Sequence, residues 1–135
     1  GHQCKQGRVM YLALEEPRRR IQSRLQALCD AKGPDTWRWM EQIKFGANGD
    51  REREVPTADE GLYEMIAALF DSDPTITLLI IDTLHTVRPA KRNGEDVYAY
   101  DRRCLDPLTK ILASRPGRSI MVVHHTRKAK SDNGW

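Results

Sequence analysis

Cysteine is scarce, and none of it is spaced as a chelating pair. Cys4, Cys29 and Cys104 make an odd three, with no C-x-x-C among them. That excludes a disulfide framework and a zinc ribbon, and fits free thiols in a reducing compartment. A cytoplasmic location is therefore expected. No apolar run approaches the ~20 residues that a bilayer requires, and no signal-peptide pattern is present, so no membrane role is expected. Neither sign of charge dominates. The 22 lysines and arginines against 19 acidic residues leave a formal +3, too little to imply nucleic-acid binding by itself. Internal repeats and low-complexity tracts are absent.

The 135 residues suit one domain with a sizeable core, and 39% hydrophobic against 30% charged residues is an ordinary globular balance. RVMYLALE (8–15) reads as a short buried strand ending in Glu15 and Glu16. Pro17 suits the first turn of a helix, where its missing N–H does no harm. Ile21, Leu25, Leu28 and Cys29 form one apolar stripe, and Gly33-Pro34 stops that helix. TWRWMEQIKF (36–45) is a weaker strand, with Trp37 and Trp39 on one face as core packing, followed by the polar loop GANGDREREVP. Thr57 and Glu60 resemble a capping box before a helix carrying Leu62, Ile66, Leu69 and Phe70.

Thr77 to Ile81 is the most apolar strand, and Asp82 stands at its exit. RPAKRNGED (88–96) reads as a basic, flexible loop. A helical segment runs from Val97 to about Ser114, interrupted at Pro107, with Asp106 as a possible cap of a second helix. SIMVVHH (119–125) is a further buried strand. Continuous apolar strands alternating with helices predict an α/β fold: a parallel sheet of about four strands, covered by helices on both faces.

Open parallel sheets bind ligands beyond the carboxyl ends of their strands. Three of the strands here end in chemically capable residues: Glu15, Asp82, and His124 with His125. An unpaired interior carboxylate is costly, so a charge at a strand exit points to water or a cation. Were the three strands neighbours, their ends would lie about 4.8 Å apart per step, close enough to surround a metal-bound phosphate.

Three segments, VMYLALEEPRRRIQSRL, LLIIDTLHTVRP and SIMVVHHTRK, in this order and at these intervals, resemble RecA-like P-loop ATPases, on the branch near the hexameric replicative helicase RepA. The likeness covers about residues 8–128. It implies an ATPase linked to DNA replication, acting as an oligomer on Mg-ATP. By resemblance, Asp82 is the Walker B aspartate that holds Mg²⁺ through water, with Thr83 beside it at the cofactor. Glu15 is the carboxylate that polarises the attacking water, with Glu16 as its nearby competitor. His124 or His125 senses the γ-phosphate. Arg127, Lys128 and Lys130 open a loop that faces DNA, and Lys91 and Arg92 are further candidates for that contact.

The sequence has no G-x-x-x-x-G-K-[ST]. The expectation is a single partial RecA-like domain over 1–135, without the P-loop strand and helix or the C-terminal strands, and weak or inactive alone. Ser119–His125 would then be an apolar edge that invites self-association. The alternative is a non-catalytic assembly or binding module. A third option makes Glu15, Asp82, His124 and His125 a Zn²⁺ or Mn²⁺ hydrolase cluster. Each residue also has a plainer reading: Asp82 as a cap, Glu15 as a first-turn residue, Arg18 to Arg20 as a solvated helix face.

Overall fold

Apolar residues in the strands alternate between two faces, and that alternation assigns each helix its place. A computed structural model describes residues 7–33, 43–47 and 55–124. In chain order the elements are β1 (Arg8–Ala13), α1 (Arg18–Lys32), β2 (Ile43–Ala47), α2 (Leu62–Ser72), β3 (Ile76–Asp82), α3 (Leu84–Val87), α4 (Val97–Ala113) and β4 (Ser119–Val122). The strands form one parallel sheet in the order β2-β1-β3-β4.

On β1, Leu12 and Leu14 face the larger core, while Tyr11 and Ala13 face α1. On β3, Leu79 and Ile81 join Leu12, and Ile76 is buried with them. Strict alternation would put Ile76 on the other face. The register supplies the reason: Arg8 pairs with Ile76 but Val9 pairs with Leu78, so Thr77 is an extra residue in β3. Gly7 lies against this bulge. A Cβ there would stand 2.1 Å from Thr77 Oγ1, so only glycine fits.

The larger core lies between the sheet and the pair α2 and α4. Leu62, Ile66 and Phe70 recur every four residues along α2 and are fully buried. Each contributes roughly 1.5–3 kcal/mol relative to exposure. Thr57 and Glu60 make only half of the expected capping box: Thr57 N–H and Oγ1–H both donate to Glu60 Oε2, while Glu60 N–H donates to the Thr57 carbonyl rather than to its hydroxyl. They close the turn before α2 rather than the helix itself, which begins after Gly61 in a left-handed conformation. On the opposite face α1 buries Ile21 and Cys29, with Leu25 half-buried. Leu28 is exposed, because a stripe at every fourth residue drifts about 40° per step and leaves Leu28 at its margin.

Three further expectations need correction. Pro107 does not break the helix: α4 runs unbroken through it, and Asp106 lies inside, paired with Arg102 at 3.4 Å. Buried Cys104 and Leu108 on either side hold the helix against the core. The segment 88–96 is not loose. Arg103 Nε and Nη2 each donate to the Glu95 carboxylate at 2.9 Å, and Nη2 also donates to Ala90 O. Asp59 accepts from Ala90 N–H, and Tyr100 O–H donates to Pro89 O. Arg103 holds Glu95 well below the usual carboxylate range, at about 2, with the Arg92 N–H assisting. Of the weaker strand candidate, residues 36–42 lie outside the described residues; Ile43–Ala47 is a strand, so Gly46 and Ala47 belong to it rather than to the polar loop. Trp37, Trp39, His125, Arg127, Lys128 and Lys130 lie outside the described residues. Among those described, no helix is long and apolar enough to cross a membrane.

Candidate functional site

The strand order makes a crevice at one position. From β1 the chain passes through α1 to β2 on one side, and from β3 through α4 to β4 on the other. The covering helices lie on opposite faces. The β1–β3 seam is therefore the topological switch point, where open parallel sheets leave room for a ligand beyond their carboxyl ends. Glu15, Asp82 and Thr83 stand at that seam.

Backbone bonds lock the rim. Leu14 N–H donates to Asp82 O at 2.6 Å, Val123 N–H to Ile81 O at 3.0 Å, and Leu84 N–H to Val123 O at 3.2 Å. The ends of β1, β3 and β4 are thus joined side by side, as the three-strand spacing required. Thr83 is 0% exposed, and its Oγ1–H donates to Glu15 Oε1 at 2.5 Å. Glu15 itself is exposed, so its carboxylate is steered from below and faces water above. Thr83 follows the face of Leu79 and Ile81. Asp82 follows the α1 face, where the Tyr11 phenol donates to Asp82 Oδ2. Burial, with the Asp82 carboxylate second, pushes the Tyr11 phenol up to about 12, so it stays a donor throughout the physiological range.

His124 reaches the same rim but turns to the other face. It lines a cleft of about 220 Å³ between β4 and α4, with Leu84, Arg88, Asp101 and Cys104. Asp82 and His124 thus address opposite sides of the sheet edge. Glu16, the competitor of Glu15, is engaged by Arg24 at 2.5 Å. Arg18, Arg19 and Arg20 are exposed on the first turn of α1, and Lys91 and Arg92 on the clasped 88–96 segment.

The groups at the seam that could face a cation are the carboxylates of Glu15 and Asp82, hard oxygen ligands suited to a hydrated Mg²⁺ that borrows its remaining ligands from water and phosphate, while the Thr83 and Tyr11 hydroxyls are spent on holding them. Among the described residues, no group of three His, Cys, Asp or Glu lies close enough to hold a metal ion. That removes the support for a zinc-type cage built from Glu15, Asp82 and His124.

A family model described as an AAA domain matches residues 1–131. The chain belongs to the AAA domain family. No curated protein matches it. Membership of the AAA domain family brings an ATPase-like fold and nucleotide binding in general, and the parallel sheet with helices on both faces agrees with a partial P-loop architecture. The exits of apolar runs single out Glu15, Asp82 and His124 in the sequence, and the family resemblance adds Thr83. Neither singles out Tyr11, which looked like one more apolar strand residue. The available signal was its place on the opposite face to Leu12, two residues short of the rim.

Proposed function

We propose that this AAA domain is the metal- and water-handling part of a RecA-like ATPase on the replicative-helicase branch, working on Mg-ATP. The observation that carries the reading is that Glu15 and Asp82 stand at the carboxyl ends of the adjoining strands β1 and β3, one carboxylate taking a hydroxyl bond from Thr83 and the other from Tyr11. Asp82 would hold Mg²⁺ through water, and Glu15 would orient and polarise the attacking water. Mg²⁺ supplies charge neutralisation at the phosphates when bound. His124, or His125 beside it, is the γ-phosphate sensor of this reading, and Thr83 serves the cofactor indirectly through Glu15. The sequence has no G-x-x-x-x-G-K-[ST], so the lysine and N–H cradle that carry most phosphate affinity are not among these residues. Weak nucleotide binding by the 135 residues alone follows.

Amide NMR shifts on adding millimolar Mg-ATP test this directly. Residues 14–16 and 82–84 should move, and Asp82→Asn should abolish the movement while the thermal midpoint stays put. Shifts that miss the seam would remove the proposal. A micromolar affinity would instead reveal a different phosphate cradle.

An assembly role is the second reading, favoured by β4. Among the described residues it is an edge strand, and its Met121 is 53% exposed. Such an edge invites pairing with a second copy. Light scattering should show concentration-dependent association, and Met121→Lys should abolish it. A wild-type chain that stays monomeric at millimolar concentration excludes this reading. Contact with single-stranded DNA through Lys91, Arg92, Arg127, Lys128 and Lys130 belongs to the helicase reading. It predicts binding that weakens steeply with salt, and salt-independent binding would contradict it.

A further inference from the structure

We propose that Tyr11 is a positioning residue for the metal-binding carboxylate: its phenol reaches across the β1–β3 seam and fixes Asp82 in a single orientation before any metal arrives. The inference rests on the reading of Asp82 as the Mg²⁺ residue.

The geometry begins with register. Tyr11 pairs with Ile80, two residues before Asp82 on the same face of β3. Two residues of strand rise about 6.6 Å. A tyrosine leaning along the strand toward the rim spans that gap, whereas a serine or threonine at position 11 falls short. The ring is guided there by an apolar groove of about 290 Å³, whose lining includes Val9, Ile21, Leu25 and Ile80. Glu16 and Arg24, themselves an ion pair, stand in the same groove lining. The phenol donates to Asp82 Oδ2.

A carboxylate at a strand exit otherwise rotates freely, and ordering it on binding costs free energy. With Oδ2 engaged by Tyr11, that cost is met during folding, and Oδ1 would be the oxygen left to hold the cation. Second ligand-shell donors of this kind set both the orientation and the charge of the group they hold. The arrangement mirrors Thr83 and Glu15. Each carboxylate at the seam takes a hydroxyl from the neighbouring strand: Asp82 of β3 from β1, and Glu15 beyond β1 from the end of β3.

The test is Mn²⁺ titration in the presence of ATP, followed by the electron paramagnetic resonance of free Mn²⁺. Wild type, Tyr11→Phe, Asp82→Asn and the double variant are compared. Tyr11→Phe keeps the ring and loses only the donor, so it should weaken Mn²⁺ affinity about tenfold. The double variant should bind no more weakly than Asp82→Asn alone, because Tyr11 acts through Asp82. Mn²⁺ affinity equal to or tighter than wild type in Tyr11→Phe, with Asp82→Asn still impaired, overturns the positioning role and leaves Asp82 its own. Equal affinity in all four proteins, or none in any, overturns the Asp82 reading and this inference with it. Should Tyr11→Phe lose its thermal transition, Tyr11→Met fills the same groove without a donor and carries the same expectation.

Discussion

Phe70→Ala is expected to lower the unfolding free energy by about 3–5 kcal/mol. The ring is 0% exposed at the last buried position of α2, among the largest fully buried side chains of the core. Its loss removes apolar burial and leaves a cavity that the neighbouring strand cannot collapse to fill. A second loss follows from Arg118. That guanidinium lies 4.9 Å from the Phe70 centroid, while its Nη1 donates to Ile76 O at 2.8 Å and Asp73 O at 3.4 Å. Phe70 is thus the floor on which Arg118 ties the turn before β3 to the start of β4. Against a total of roughly 5–15 kcal/mol for a domain of this kind, the variant keeps little reserve. Urea unfolding followed by circular dichroism should show a midpoint far below wild type. A change under about 1 kcal/mol would mean that α2 is not anchored by this ring.

How much of this was legible beforehand depended on how local each determinant is. β3 and α2 were plain, because an apolar run and a four-residue repeat are signals within one segment. Glu15 and Asp82 stand out in the sequence because each terminates such a run. The order β2-β1-β3-β4 is a matter of long-range pairing, and no local pattern states that β1 sits between β2 and β3. The Tyr11–Asp82 bond joins residues 71 apart in sequence, so it became visible only with the register. The clasp on 88–96 was illegible for a related reason. Arg103 and Glu95 read as two charges among many, and only the fold of α4 back over the segment makes them a bidentate pair. Pro107 misled because intrinsic propensity was weighed without packing. Cys104 and Leu108 bury the same helix on either side of it, and tertiary contacts outweigh the one backbone bond that proline removes. The four residues of α3 gave no periodic signal at all.

Thr83→Val should separate stability from chemistry at the seam. Valine matches threonine in shape, and position 83 is fully enclosed, so the apolar side chain is well accommodated. The carboxylate that loses its donor is Glu15, which is exposed and gains water in exchange. No buried polar group is stranded, and stability should stay within about 1 kcal/mol of wild type. The site responds differently. Glu15 Oε1 no longer receives the 2.5 Å bond from Oγ1, and its carboxylate is released from the orientation set across the seam. On the proposed reading Glu15 must stand within hydrogen-bond reach of the attacking water, and a misplaced base forfeits about 100-fold in rate. Phosphate release at saturating Mg-ATP is the measurement, with Thr83→Ser as the control that keeps the hydroxyl and should retain most of the rate. Equal rates in Thr83→Val and wild type would show that Glu15 needs no steering. A large fall in melting temperature would instead make Thr83 a structural residue of the core.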